Sequence, residues 1–191
     1  PDLKAIAKGH KADYKKIFEL PYDSFEEIII KGAAVGFADV PLCEKEPYII
    51  RYAEMIDNWA ECDCFCSCIK VKKSEADDLL RLAEGLMYRK EEFVSRVGTV
   101  LMFSKFSDEP TVRKALTIYD RLPGGEYYRD MAVAWGISVY CVRYPQLIVK
   151  YLEHSPISIA VKLAAAQKIR DSRRISDEVK HRVTDTVNAQ R

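Results

Sequence analysis

The chain has 191 residues, of which 48% are hydrophobic and 31% charged, with a formal net charge of +1. That length allows one sizeable core in a single domain, 1–191. The composition excludes a disordered or collagen-like chain and matches a soluble globular protein. The longest apolar run, Met131–Val142, is too short for a bilayer span, so no membrane partner is expected.

Charge is unevenly placed. Residues 1–60 carry 8 Lys/Arg against 11 Asp/Glu, a net of −3, whereas residues 154–191 carry 8 against 4, a net of +4. A basic end suits phosphate, although such runs also occur as plain solvated faces. Eight glycines and eight prolines fall between periodic segments, which points to an all-α fold.

In chain order, Asp2–Lys8 reads as the end of a helix, and Asp13–Leu20 as a short helix closed by Pro21. Asp23 or Ser24 caps Phe25–Ala38, whose Ile28, Ile29, Val35 and Phe37 supply apolar faces. Pro41 ends the next connection, and Pro47–Ile56 forms a helix with Ile49, Ile50, Ala53 and Ile56 inward.

The stretch Ile56–Lys70 is the unusual one. Asn58 is a plausible N-cap, and Trp59 and Asp63, four residues apart, share one helical face. An acid among Phe65, Ile69 and four cysteines needs a partner, because burying a carboxylate costs several kcal/mol otherwise. Those cysteines alternate at positions 62, 64, 66 and 68. On a helix, Cys62/Cys66 and Cys64/Cys68 lie on nearly opposite faces and cannot close one metal tetrahedron. They are expected to be small buried side chains in a reduced, cytoplasmic setting, with no disulfide and no metal.

Further along, Ser74–Tyr88 opens with a capping-type Ser-Glu-Ala-Asp. Glu91–Phe106 carries Phe93, Val94, Val97, Val100, Leu101 and Phe103 with Arg96 as its one interior cation, and Pro110–Leu122 ends at the Pro123-Gly124-Gly125 turn. Tyr127–Arg143 is apolar nearly all round, so neighbours should cover it on both sides. Pro145–His154 follows, then a helix beginning at Ser155-Pro156 and a last one over Ser176–Val187.

Helix starts near residues 23, 58, 91, 126 and 156 recur every 30 to 35 residues, with another helix in each gap. That is the rhythm of stacked antiparallel hairpins, an α-solenoid of HEAT or armadillo type with a concave face. If the second helix of each pair lines that face, Trp59, Asp63, Arg96 and Trp135 converge there. Arg96 follows Trp59 by 37 residues and Trp135 follows Arg96 by 39. Each also has a plainer role: a tryptophan in the core, or an arginine that pairs Asp63.

Four separated segments carry a resemblance. They are Asp57-Asn-Trp-Ala-Glu-Cys-Asp63, Phe93-Val-Ser-Arg-Val97, Tyr127-Tyr-Arg-Asp-Met-Ala-Val-Ala-Trp135 and Lys168-Ile-Arg-Asp-Ser-Arg-Arg-Ile175. In this order they resemble the DNA alkylation repair proteins, the AlkD-type alkylpurine DNA glycosylases built of HEAT-like repeats. The likeness covers nearly the whole chain. It implies that Asp63 is the catalytic aspartate and that Trp59 and Trp135 are the active-site tryptophans. It places Arg96 on the arginine that holds DNA beside the lesion. The implied activity is hydrolytic excision of cationic N3- or N7-alkylated purines from double-stranded DNA, by a monomer needing no cofactor. The start, Pro1–Lys8, resembles a segment that one or two further helices precede in that family.

Such a base is already cationic and leaves without a proton donor, so one carboxylate is enough to stabilise the oxocarbenium-like sugar. A carboxylate about 4 Å from that cation gains about 4 kcal/mol at an effective dielectric near 20, about a thousandfold in rate. Lys162, Lys168, Arg170, Arg173 and Arg174 are candidates for phosphate contact. Arg173 and Arg174 alternatively cap helix ends or pair with Asp171 and Asp177. The alternative function is a non-catalytic HEAT-repeat scaffold that binds DNA or protein through the same groove.

Overall fold

The computed structural model describes residues 2–190, and every regular element among them is helical. The chain divides into two compact units, the first ending at Ser104 and the second beginning at Lys105.

The first unit holds α1 (Leu3–Gly9), a 3-10 turn (Lys11–Asp13), α2 (Tyr14–Glu19), α3 (Phe25–Phe37), α4 (Leu42–Met55) and α5 (Trp59–Cys68). A second 3-10 turn (Lys73–Glu75), α6 (Ala76–Met87) and α7 (Glu92–Lys105) complete it, α7 ending one residue past the division. The second unit contains α8 (Glu109–Tyr119), α9 (Tyr127–Arg143), α10 (Pro145–His154), α11 (Ile159–Asp171) and α12 (Asp177–Asn188). Long helices therefore begin at 25, 59, 92, 127 and 159 with one other between each pair, as the spacing of start signals leads one to expect.

Local chemistry explains most boundaries. Ser24, rather than Asp23, caps α3 through a capping box: Glu27 N donates to Ser24 Oγ at 3.3 Å and Ser24 N to Glu27 Oε2 at 3.1 Å. Asn58 Oδ1 accepts from Ala60 N and Glu61 N, both at 3.1 Å, which starts α5 at Trp59. Asp108 Oδ1 accepts from Thr111 N at 3.0 Å and starts α8.

Three boundaries differ from the expectation. α4 begins at Leu42, not Pro47; Pro47 sits inside it and removes one bond of the second turn. Its first turn is held from outside, by Glu75 Oε1 accepting from Leu42 N at 2.7 Å. Ala76 rather than Ser74 opens α6, after the 3-10 turn that contains Ser74. α11 begins after Ser158, whose Oγ accepts from Val161 N, whereas Ser155 closes α10.

Two buried lysines satisfy helix ends. Lys31 Nζ donates to the carbonyls of Ile17, Phe18 and Leu20 at the end of α2. Lys45 Nζ donates to Ala38 O at 3.0 Å and to Lys70 O, beyond the ends of α3 and α5. Burial lowers the pKa of both ammonium groups. The carbonyls they serve are the orphans that any helix leaves at its C-terminus.

Within the first unit α3 packs on α5 and α4 on α6; within the second, α9 packs on α11 and α10 on α12. Ile49, Tyr52, Phe65, Leu79, Met87 and Leu101 are fully enclosed in the first core, and Tyr119, Ile137, Tyr140, Ile148 and Leu152 in the second. Enclosing each aliphatic or Phe side chain is worth about 1.5–3 kcal/mol. α7 approaches α6 so closely that a Cβ at Gly98 would lie 2.5 Å from Met87 N and 2.6 Å from Ala83 O. Only glycine fits there, and this contact fixes the height of Arg96, two residues earlier.

Candidate functional site

The face of α5 that carries Cys62, Phe65, Cys66 and Cys68 is buried. Trp59 and Asp63 stand off it, one turn apart. Trp59 is 57% exposed, an unusual amount for an indole, whose transfer from water is strongly favourable. The Asp63 side chain is 22% exposed and the Arg96 side chain 6%. The acid is thus reachable, with its cation behind it.

Arg96 comes from the middle of α7, where every residue from Val94 to Phe103 is buried. Ser95 Oγ donates to Met87 O at 2.7 Å, and Cys66 Sγ approaches Val97 O at 3.7 Å. These bonds lock α7 against α6 and α5 on either side of Arg96. From that position Arg96 Nη2 donates to Asp63 Oδ1 at 2.9 Å and to Oδ2 at 3.0 Å. One nitrogen spans both oxygens, so the carboxylate plane is set by a group that itself cannot move. The charge-assisted bonds are of the strong kind.

Glu61 is the second acid of α5. It is buried, and enclosure raises its carboxyl above the usual range, opposed by hydrogen bonds from Asn58 and Asp57. No sequence signal separates it from an ordinary first-turn glutamate, which favours the positive end of a helix in any exposed setting.

The other expected site residues are spread over the second unit. Trp135 is partly exposed on α9. Lys162 is buried in α11 and donates to Gln190 Oε1 at 2.6 Å, so it serves the packing of the α12 end. Lys168 is partly exposed, and Arg170 is exposed and bonded to Gln167. Arg173 and Arg174 lie exposed in the turn between α11 and α12. Their proposed acidic partners are engaged elsewhere: Asp171 accepts from Gln167 Nε2 at 2.8 Å, and Asp177 pairs with Lys180 at 3.2 Å. Another arginine of the resemblance segments, Arg129, is buried on α9 with Nε and Nη1 lacking an acceptor among the described residues.

All six cysteines are free thiols. The Cys64 thiol is pushed up by its hydrogen bond to Cys68 and by burial, and burial pushes Cys141 up to about 12. Protonated thiols are poor nucleophiles and poor ligands. Among the described residues no group of three His, Cys, Asp or Glu side chains is placed to hold a metal ion, and no helix is long and apolar enough to cross a membrane. The structure therefore brings Trp59, Asp63 and Arg96 together in one unit, as a half-open acid fixed by a buried guanidinium beside an exposed indole. Comparison with known proteins adds no neighbour: no family model, no curated protein and no solved structure matches the chain.

Proposed function

We propose that the chain is a metal-free DNA glycosylase that excises purines made cationic by alkylation at N3 or N7. The single observation that carries this reading is Asp63, open on one side and held by Arg96 on the other, one turn from an exposed Trp59. The resemblance of the four segments to the alkylpurine glycosylases supplies the substrate class.

In this reading water adds to C1′ of the sugar as the bond to the purine nitrogen breaks. The bonding pair stays with the departing base and cancels its positive charge, so no general acid is required. Asp63 faces the positive charge that grows on the sugar and takes the proton that the water gives up. Arg96 is a positioning residue: it keeps the carboxylate plane fixed, which is worth rate only because the geometry is set before reaction. The Trp59 indole offers a π face to the cationic nucleotide, worth about 0.5–2 kcal/mol. The resemblance assigns the same task to Trp135; the basic end offers Arg173 and Arg174, both exposed, for phosphate contact.

We also read each unit as a stack of antiparallel helical hairpins of HEAT-like type. Support comes from the skipping of one helix in the packing, α3 on α5 and α4 on α6, then α9 on α11 and α10 on α12.

The test is release of methylated base from alkylated duplex DNA, with Asp63→Asn as the decisive variant. Loss of release by a folded Asp63→Asn protein supports the reading. Wild-type release by that variant, or no release by the parent protein, overturns it.

A further inference from the structure

A second feature of the first unit is independent of the Asp63 site. Beyond the C-terminal ends of α3 and α5 lies a cavity of about 240 Å³, lined by the connections at 38–40 and 70–72 and by Lys8, Lys11, Lys45 and Glu75. Five of the lining side chains are lysines: Lys8, Lys11, Lys45, Lys70 and Lys72. Helix C-terminal ends repel anions when their carbonyls are free. Several at the end of α3 are occupied here: Ala34 O and Val35 O accept from Ala38 N, Gly36 O from Lys70 N, and Ala38 O, like Lys70 O beyond α5, from Lys45.

The charges that remain do not cancel. Glu75 is spent, with Oε1 on Leu42 N and Oε2 on Lys72 N at 3.0 Å. These bonds and the neighbouring lysines hold its carboxyl below the usual range, a sign that this wall favours negative charge. Lys45 is 1% exposed and offers three N–H donors, of which two have protein acceptors. Its side chain also lines the cavity. Lys8, Lys11, Lys70 and Lys72 form no ion pair among the described residues, and Lys70 Nζ rests 5.4 Å from the centre of the Phe37 ring. Against these four stands Asp39, the other lining carboxylate. Setting Lys45 against Glu75 leaves a net of +3. Unpaired ammonium groups gathered within about a Debye length repel one another, which a resident polyanion would reverse.

We infer that this cavity binds a compact phosphate polyanion, the pyrophosphate group of a free polyphosphate or successive phosphates of a nucleic acid strand. The buried Lys45 donor contacts a phosphate oxygen at the cavity floor, and Lys11 and Lys70 close on it from the rim.

The probe is inorganic pyrophosphate, titrated calorimetrically into the full chain at low salt. One-to-one binding is expected, weakened at least about tenfold by Lys11→Glu/Lys70→Glu, which alters only side chains at least partly exposed, and tightened by Asp39→Asn. Circular dichroism of the variants checks the fold. A duplex that displaces pyrophosphate, and itself weakens in the double variant, assigns the phosphates to a nucleic acid; a duplex that leaves pyrophosphate bound assigns a free polyphosphate. Absence of binding, or equal affinity in the folded double variant, overturns the inference. The Asp63→Asn protein must bind pyrophosphate normally, so failure here and failure of the glycosylase reading are separate results.

Discussion

Arg96 grips Asp63 with a single nitrogen, 2.9 Å from one carboxylate oxygen and 3.0 Å from the other. The cation is the enclosed partner and the acid the open one. This asymmetry means that Asp63→Asn has two effects: it removes the charge proposed to act on the sugar, and it takes the carboxylate from a buried guanidinium. Removing one member of a fully buried pair costs roughly 3–5 kcal/mol. With a fifth of Asp63 in water, about 2–3 kcal/mol is expected. Adding Arg96→Met should recover most of that stability, since a buried pair is replaceable by apolar volume. Excision should not return with it. Urea melts and base release on the two single variants and the double variant separate folding from chemistry: activity restored along with stability would reduce Asp63 to a structural role.

Trp59 gives the opposite balance. With 57% of the residue exposed, Trp59→Ala should change stability by no more than about 0.5 kcal/mol, as is usual for surface positions. Its contribution to holding a cationic nucleotide is about 0.5–2 kcal/mol, so kcat/KM on alkylated duplex should fall roughly 2- to 30-fold. Trp59→Phe should recover part of the loss, because a smaller π face remains. Unchanged kcat/KM in Trp59→Ala would remove the indole from the site.

Burial raises the Glu61 carboxyl above its unfolded value. A raised acid binds its proton more tightly in the native state. Its stabilising contribution is therefore complete below the unfolded pKa and is lost as pH climbs through the raised one. Glu61→Gln keeps the shape and removes the titration. The variant and the parent should have similar urea midpoints near about pH 4, and the variant should be the more stable near about pH 7. Coincident midpoint-against-pH curves would contradict this.

The sequence makes the helices legible because their starts are chemical: Ser24 and Asn58 each place an oxygen where the first free N–H groups point. The Asp63 site is legible for a related reason. Four-residue spacing puts Trp59 and Asp63 on one face whatever surrounds them, and a lone cation in an apolar helix has to find an acid. What the sequence hides depends on distant contacts. Lys45 and Lys162 look like any surface lysines, yet one closes the ends of two helices and the other is consumed by Gln190. The start of α4 is hidden likewise, since the group that holds Leu42 N is Glu75, 33 residues on. Local pattern carries propensity and spacing; it carries no record of which buried carbonyl a remote ammonium will meet.

Arg129 is buried where no local pattern announces it. It is 2% exposed on α9, with Nε and Nη1 enclosed and without an acceptor among the described residues. The acid beside it in sequence, Asp130, accepts from Gly125 N at 3.0 Å, where the chain turns at positive φ. A guanidinium enclosed without a carboxylate is a standing cost, because desolvation of the charge is not repaid by pairing. Arg129→Met keeps the length of the aliphatic stem and removes the charge. It is therefore expected to stabilise the protein, by about 1–4 kcal/mol, raising the urea midpoint at unchanged m-value. The gain should persist in high salt, since a buried charge is poorly screened. A lower midpoint for Arg129→Met, reversed by removing phosphate from the buffer, would show instead that a dissolved anion completes the guanidinium's bonding in the native state.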